Sequence, residues 1–76
     1  MNKRKQLIEY ITQDIVAFIV NDTGKNISDA VHIFFSSETY EKLCDEETGL
    51  YLESSAYVYD IYQRESIEGK IVQNEY

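Results

Sequence analysis

The stretch from Leu7 to Val20, LIEYITQDIVAFIV, decides the fold class. Its apolar side chains recur at the spacing that places them on one broad side of an α-helix. This stripe comprises Leu7, Ile8, Ile11, Ile15, Phe18 and Ile19. The β-branched run IVAFIV is also compatible with a buried strand, but the helical periodicity extends over the whole stretch and outweighs it. The sequence therefore predicts a central helix from about Asn2 to Asp22.

Glycines and capping residues divide the rest of the chain. Gly24, Gly49 and Gly69 fall where helices are expected to end, since glycine readily adopts the left-handed conformation after a helix C-terminus. Side-chain oxygens that can cap a helix precede three further apolar segments. We expect a cap at Ser28 (alternatively Asn26) for the second helix, at Ser37 for a short third helix through Glu47, and at Ser54 or Ser55 for the fourth.

The segment from Leu50 to Ser66 admits two interpretations. In the first, Leu50–Leu52 is an extended connector and Ala56–Ser66 is a helix with Val58, Ile61 and Tyr62 on one side. In the second, LYLE and AYVYDIY form a β-hairpin about a Ser-Ser turn, because tyrosine and valine favour strands. Ser-Ser is a poor two-residue hairpin turn and an isolated hairpin is marginally stable, so the helix is favoured.

These elements predict an all-α fold, a single small bundle of three to four helices, with α+β and a C-terminal β-hairpin as the alternative. Residues 3–68 form the single domain, and residues 69–76 are expected to be a frayed tail. The predicted core is Ile8, Ile11, Ile15, Phe18, Ile19, Ile27, Val31, Phe34, Tyr40, Leu43, Val58 and Ile61. Ala30 and Cys44 are also expected to face inward from the second and third helices.

Length and charge restrict the function. A chain of 76 residues buries only about 60% of its unfolded surface, so association with itself or another protein is an expected reinforcement. The net charge of −7 repels nucleic acid and favours basic partners. The longest apolar run, Ile15–Val20, is far shorter than the roughly 20 residues that span a membrane. With no signal peptide evident and a lone Cys44, we expect a cytoplasmic protein that binds neither nucleic acid nor membranes.

The residue types that carry chemistry are few. A Cys44–His32 pair would make a small enzyme, and Asp45–Glu47 would make a metal-dependent domain. However, consecutive helical carboxylates point in different directions, and Cys44 is expected to be a small core residue. A helix-turn-helix regulator is another alternative, but its third helix would bring Glu38 and Glu41 towards phosphates. We therefore predict no enzyme, no catalytic or metal-binding residue and no cofactor.

The block from Ser37 to Gln63 combines tyrosines with acids. Tyrosine is enriched at protein interfaces, and Tyr59 is expected to point away from the side of the fourth helix that faces the core. The candidate interaction surface comprises Tyr51, Tyr59, Asp45, Glu46 and Glu47. The leading hypothesis is an acidic protein–protein interaction module that docks on a basic partner or on itself, as a dimer.

The stretch from about Leu7 to Arg64, which includes ITQDIVAFIVNDTGKNISDAVHIFFSSETYEKLCDEETGLYLESSAYVY, resembles a family of short bacterial proteins, domain of unknown function 3791. The resemblance implies an all-helical, cytoplasmic and non-catalytic protein. Some members are encoded near proteins that resemble ADP-ribosyltransferases, which implies an antitoxin-like or accessory role. Similar sequences carry proline in place of Ser55, which suits the first turn of a helix.

Overall fold

Four α-helices make up most of residues 2–68, the part of the chain that this computed structural model describes. They are α1 (Lys3–Thr23), α2 (Ile27–Phe35), α3 (Glu38–Cys44) and α4 (Ser55–Glu68). Two single-turn 3₁₀ helices, Glu46–Thr48 and Leu50–Leu52, connect α3 to α4. These 67 residues contain no strand, so the all-α prediction is confirmed and the β-hairpin alternative is wrong. The predicted tail, residues 69–76, lies outside the described residues.

The helix boundaries follow local capping chemistry. Gly24 ends α1 in the left-handed conformation, with φ of 78°, and its N–H donates to the Val20 carbonyl at 3.0 Å. Asn26, not Ser28, caps α2, because its Oδ1 accepts from the Asp29 N–H at 2.8 Å. Ser37 caps α3 through the Tyr40 N–H, and Ser54 accepts the Tyr57 N–H at the start of α4, as predicted.

The connection between α3 and α4 differs from the prediction in two respects. Helix α3 ends at Cys44, before Glu47, because Asp45 is extended and its side chain accepts the N–H of Glu47. An aspartate that bonds a backbone group two residues on competes with helix continuation. The chain then turns at Gly49, with φ of 66°, so Leu50–Leu52 is a 3₁₀ helix and not an extended connector.

The core lies around the inward side of α1. Ile11, Ile15 and Ile19 pack with one or two buried residues from each of the other helices and from the connector. The buried hydrophobic residues are Ile11, Ile15, Val16, Ile19, Ala30, Phe34, Leu43, Leu50 and Val58. Aromatic rings close the edges of this core, as where Phe34 meets Tyr40 and Tyr62 edge-on with centroids 5.5 and 5.8 Å apart.

Two residues placed in the core by the sequence lie at the surface. Ile27 is 66% exposed, because Asn26 starts α2 and Ile27 stands at its first position, ahead of the buried Ala30. Cys44 is exposed at the last position of α3, next to the fully buried Leu43. Neither change alters the fold, but the exposure of Ile27 shapes the surface described below.

Across residues 2–68, none of the helices combines the length and the apolar character needed to cross a bilayer.

Candidate functional site

An apolar groove of about 530 Å³ runs between α1 and α2 and opens to solvent. We call it the α1/α2 groove. Its apolar lining comes from Val16, Ala17 and Val20 of α1 and from Ile27, Val31 and Phe35 of α2. This is exposed apolar surface that no other part of residues 2–68 covers, and such surface commonly marks a site of protein association.

The groove exists because both helices carry apolar residues beyond the row that faces the core. Helix α2 directs Ala30 and Phe34 into the core, and Val31 and Phe35 follow them by one position. A step of one residue turns the side chain by about 100° around a helix, so these residues stand beside the core. Phe35 is held in place by stacking on Tyr40, with ring centroids 4.5 Å apart and an interplanar angle of 8°.

Neutral polar groups complete the lining. Gln13 and Asn21 contribute side-chain amides on the α1 side. Thr12 also lines the groove, and its Oγ1 is buried with no hydrogen-bond partner among the described residues. A buried hydroxyl without a partner costs about 1–3 kcal/mol.

A smaller, polar depression of about 300 Å³ adjoins the groove along α1. It is lined by Gln6, Glu9, Tyr10 and Gln13, and Gln13 belongs to both. Tyr10 is 68% exposed here. The outer side of α1 is therefore one continuous surface, apolar in its second half and polar in its first.

The predicted acidic residues occupy the Glu46–Thr48 turn and its cap. The Asp45 carboxylate binds a backbone group of its own turn, since its Oδ1 accepts a hydrogen bond from the Glu47 N–H at 3.0 Å. Glu46 lies 3.8 Å from the Arg4 guanidinium, so the basic start of the chain has an acidic neighbour that the sequence did not reveal. Glu46 and Glu47 are both exposed and remain a predicted interaction surface.

The predicted tyrosines are half-buried. The expectation that Tyr59 points away from the core is wrong, because its ring packs 5.0 Å from Phe18 and its hydroxyl donates to Asp22 at 2.6 Å. Burial and then this hydrogen bond raise the pKa of Tyr59 to about 12. Tyr51 packs against the core from the Leu50–Leu52 turn. Part of the surface of each tyrosine is therefore buried against the rest of the molecule.

The structure does not bring the acidic residues and Tyr59 together. Glu46 lies beside Arg4, which is in the first turn of α1. The Tyr59 hydroxyl is hydrogen-bonded to Asp22, which is in the last turn of the same helix. Positions 4 and 22 of a straight helix are about 27 Å apart at 1.5 Å per residue. The candidate surface predicted from the sequence is therefore two separate regions.

The residues considered for catalysis lie at the surface of α2 and α3. His32 is exposed on α2. The Cys44 thiol interacts with the Tyr40 hydroxyl. This hydrogen bond is the main cause that raises the pKa of Tyr40, and burial is the second. A neutral phenol is not a base that would activate a thiol at neutral pH. Among residues 2–68, no group of three or more His, Cys, Asp or Glu side chains is placed to hold a metal ion.

Sequence reasoning missed the α1/α2 groove, although its signal was present. The predicted core includes Ile27 and Val31 because they fit the apolar periodicity of α2. Periodicity reports that a side of a helix is apolar, but it does not say whether the same chain covers that side.

Comparison of the chain with protein-family models, with curated proteins and with solved structures finds no match.

Proposed function

We propose that this protein is a non-catalytic protein-interaction module that pairs with a second copy of itself through the α1/α2 groove. The observation that carries this proposal is the exposed apolar lining, in which Ile27 stands 66% exposed in the same groove as Val20 and Val31. Covering apolar surface contributes about 25 cal/mol per Å². Pairing would also reinforce a domain whose small size limits its own core.

The charge around the groove favours a second copy over a basic protein as its occupant. As formed by residues 2–68, the lining carries no charged side chain. Besides Thr12, its polar members are Gln13 and Asn21, whose amides both donate and accept hydrogen bonds. The exposed acids Glu46 and Glu47 lie away from the groove, near the start of α1. A basic protein would find its complement there and not in the groove.

Binding of a basic protein is the second candidate function, and the net charge of −7 favours it. Pairing through the groove leaves Glu46 and Glu47 exposed, so a dimer would offer two acidic regions to such a protein. An antitoxin-like or accessory role in the cytoplasm is the more specific form of this candidate, and it rests only on the resemblance of the stretch from about Leu7 to Arg64.

Sedimentation velocity on the full chain, from micromolar to millimolar concentration, tests the proposal. We expect a concentration-dependent dimer that Ile27→Asp converts to monomer. Ile27 is exposed at the first position of α2, where an acidic side chain is favourable to the helix, so circular dichroism should stay unchanged.

Leu52→Asp is the matched control, because Leu52 is 69% exposed but lies outside the groove. It should dimerise as the unaltered chain does. A chain that stays monomeric at every concentration overturns the proposal. So does an Ile27→Asp variant that pairs as tightly as the Leu52→Asp control.

A further inference from the structure

We infer that the surface through which two copies pair extends from the α1/α2 groove along α1 to Tyr10, whose ring becomes buried in the pair. This inference rests on the proposed pairing through the groove. It adds a second anchor, in the first half of α1, to the one that Ile27 supplies at the start of α2.

The groove alone is small for a stable pair of proteins. Nine residues line it, whereas a specific protein interface takes roughly 20–30 residues from each partner and covers about 800 Å² on each. Two copies that meet at the groove must therefore also cover surface beside it. What lies around the groove decides where that surface is.

The surface next to the groove is charged at one end and carries an exposed aromatic ring at the other. Near Ile27 the chain presents Asp22 and Lys25, both exposed. Towards the start of α1, the groove passes at Gln13 into the depression that Tyr10 lines. Aromatic residues are enriched and charged residues depleted at the centre of an interface. An interface that grows from the groove therefore gains most by covering Tyr10.

Tyr10 stands on the same side of α1 as part of the groove lining. Tyr10, Gln13, Ala17 and Val20 are spaced three, four and three residues apart, which is the spacing by which one side of a helix meets another helix. Tyr10 and Ala17, seven residues apart, differ by only about 20° around an ideal helix, and all four residues lie within about 80°. A surface that covers Ala17 and Val20 can thus continue onto Tyr10 without winding around α1.

The fold of residues 2–68 leaves the Tyr10 ring without a partner. Tyr59 and Tyr62 stack on each other, and Tyr40 stacks on Phe35. Tyr10 is 68% exposed, and within the described part of the chain its ring and hydroxyl make no stacking contact and no hydrogen bond. Tyrosine is among the residues that contribute most to binding when they are buried at an interface.

The charges near Tyr10 are compatible with its burial in a pair. Glu9 is the charged residue of the depression, and adjacent positions of a helix differ by about 100°, so its carboxylate can stay at the solvated rim. Arg4, which pairs with Glu46, stands about 120° from Tyr10 around α1. The acidic surface at Glu46 and Glu47 therefore stays outside the extended interface.

Truncation of the ring tests its contribution to pairing. Tyr10→Ala removes the ring from both copies of a twofold pair, and alanine suits a helix, so circular dichroism should stay unchanged. We expect sedimentation equilibrium to give a dimer dissociation constant at least about tenfold higher than that of the unaltered chain. Leu52→Ala is the matched control and should pair normally, because Leu52 is 69% exposed but lines neither the groove nor the depression.

A tryptophan probe tests the burial of position 10 directly. The chain contains no tryptophan, so Tyr10→Trp and Leu52→Trp each carry a single one. As the concentration rises through the dissociation constant, the emission of Tyr10→Trp should shift to shorter wavelength and acrylamide should quench it less. The emission of Leu52→Trp should stay unchanged.

The same measurements separate a failure of this inference from a failure of the proposed function. If Tyr10→Ala pairs as tightly as Leu52→Ala, or if the emission of Tyr10→Trp does not change during a dimerisation that sedimentation detects, Tyr10 lies outside the interface and the inference is wrong. Pairing through the groove still stands in that case, provided Ile27→Asp abolishes it. If Ile27→Asp pairs normally, or if no dimer forms, the proposed function itself fails.

Discussion

The Glu65 carboxylate of α4 caps the N-terminal end of α3 through Thr39. The Thr39 hydroxyl donates to Glu65 Oε1 at 2.7 Å, and the backbone N–H groups of Thr39 and Glu38 donate to the same carboxylate at 3.0 and 2.9 Å. Thr39 is fully buried. One side chain on α4 therefore accepts hydrogen bonds from a buried hydroxyl and from two N–H groups at the start of α3, located 26 to 27 residues earlier in the chain.

Glu65→Ala should destabilise the fold strongly. It removes an acceptor from two helix-end N–H groups and leaves the buried Thr39 hydroxyl without its bond, for an expected loss of about 1–3 kcal/mol. Urea unfolding followed by circular dichroism measures this loss. Gln63→Ala, an exposed change on the same helix, should stay within about 0.5 kcal/mol. Equal midpoints for the two variants would show that the Glu65 contacts contribute nothing.

Alkaline pH should weaken the contact between α4 and α1 at Tyr59. Burial, and then the hydrogen bond to Asp22, raise the pKa of Tyr59 from its ordinary value of 10.0 to about 12. Because the pKa is higher in the folded chain than in the unfolded chain, this contact stabilises fully below about pH 10. Its contribution is lost as the pH rises from about 10 to about 12.

Tyr59→Phe tests this pH dependence. At neutral pH the variant loses the bond to Asp22, at a cost of about 1 kcal/mol. Between about pH 10 and 12 its urea midpoint should fall less than that of the unaltered chain. Some fall remains, because burial and the Glu65 charge also raise the pKa of Tyr62. Tyr10→Phe is the control at an exposed ring and should follow the unaltered chain, whereas parallel curves for all three proteins would contradict the role of Tyr59.

Two neighbouring residues of α3 should respond very differently to truncation. Leu43 is fully buried, so Leu43→Ala should cost about 2–5 kcal/mol through lost burial and a residual cavity. Cys44 is exposed, so Cys44→Ala should stay within about 0.5 kcal/mol. Thermal or urea unfolding separates the two. A large loss for Cys44→Ala would instead support the core position predicted from the sequence.

Position 55 should accept proline. Ser55 is the first residue of α4, where a helix does not use the backbone N–H. Because proline also removes the Ser55 bond to Asp14, the proper reference is Ser55→Ala. We expect Ser55→Pro to be about 0.4–1 kcal/mol more stable than Ser55→Ala, through the reduced entropy of the unfolded chain. Gln63→Pro, in the interior of the same helix, should lose about 3 kcal/mol; similar stability of the two proline variants would place the start of α4 elsewhere.

The features predicted correctly from the sequence depend on neighbours in the chain. Ser37 and Ser54 cap helices by accepting an N–H three residues ahead, and Gly24 and Gly49 adopt positive φ at the ends of helical turns. Such interactions form within a few residues and need no knowledge of the rest of the molecule. The four helices could therefore be recognised before their packing was known.

The features that were missed depend on contacts between distant segments. In the sequence, nothing distinguishes Glu65 from the other acidic residues, because its role depends on the packing of α4 against Thr39. Helix α3 spans only seven residues, so a small rotation of the helix decides whether Cys44 faces inward. Ile27 follows the apolar pattern correctly, but no segment among residues 2–68 covers it. The α1/α2 groove is where the apolar pattern of α2 and the exposure of its side chains disagree.

Salt should separate the two candidate functions. Copies that each carry −7 repel one another, and added salt screens that repulsion with a Debye length of about 8 Å at 0.15 M. Apolar burial is not weakened by salt, so pairing through the groove should stay constant or tighten as NaCl rises. Binding of a basic chain to Glu46 and Glu47 should weaken over the same range, which fluorescence anisotropy with labelled polylysine would measure. Dimers that dissociate as NaCl rises would show that charge, and not the apolar lining around Ile27, holds the two copies together.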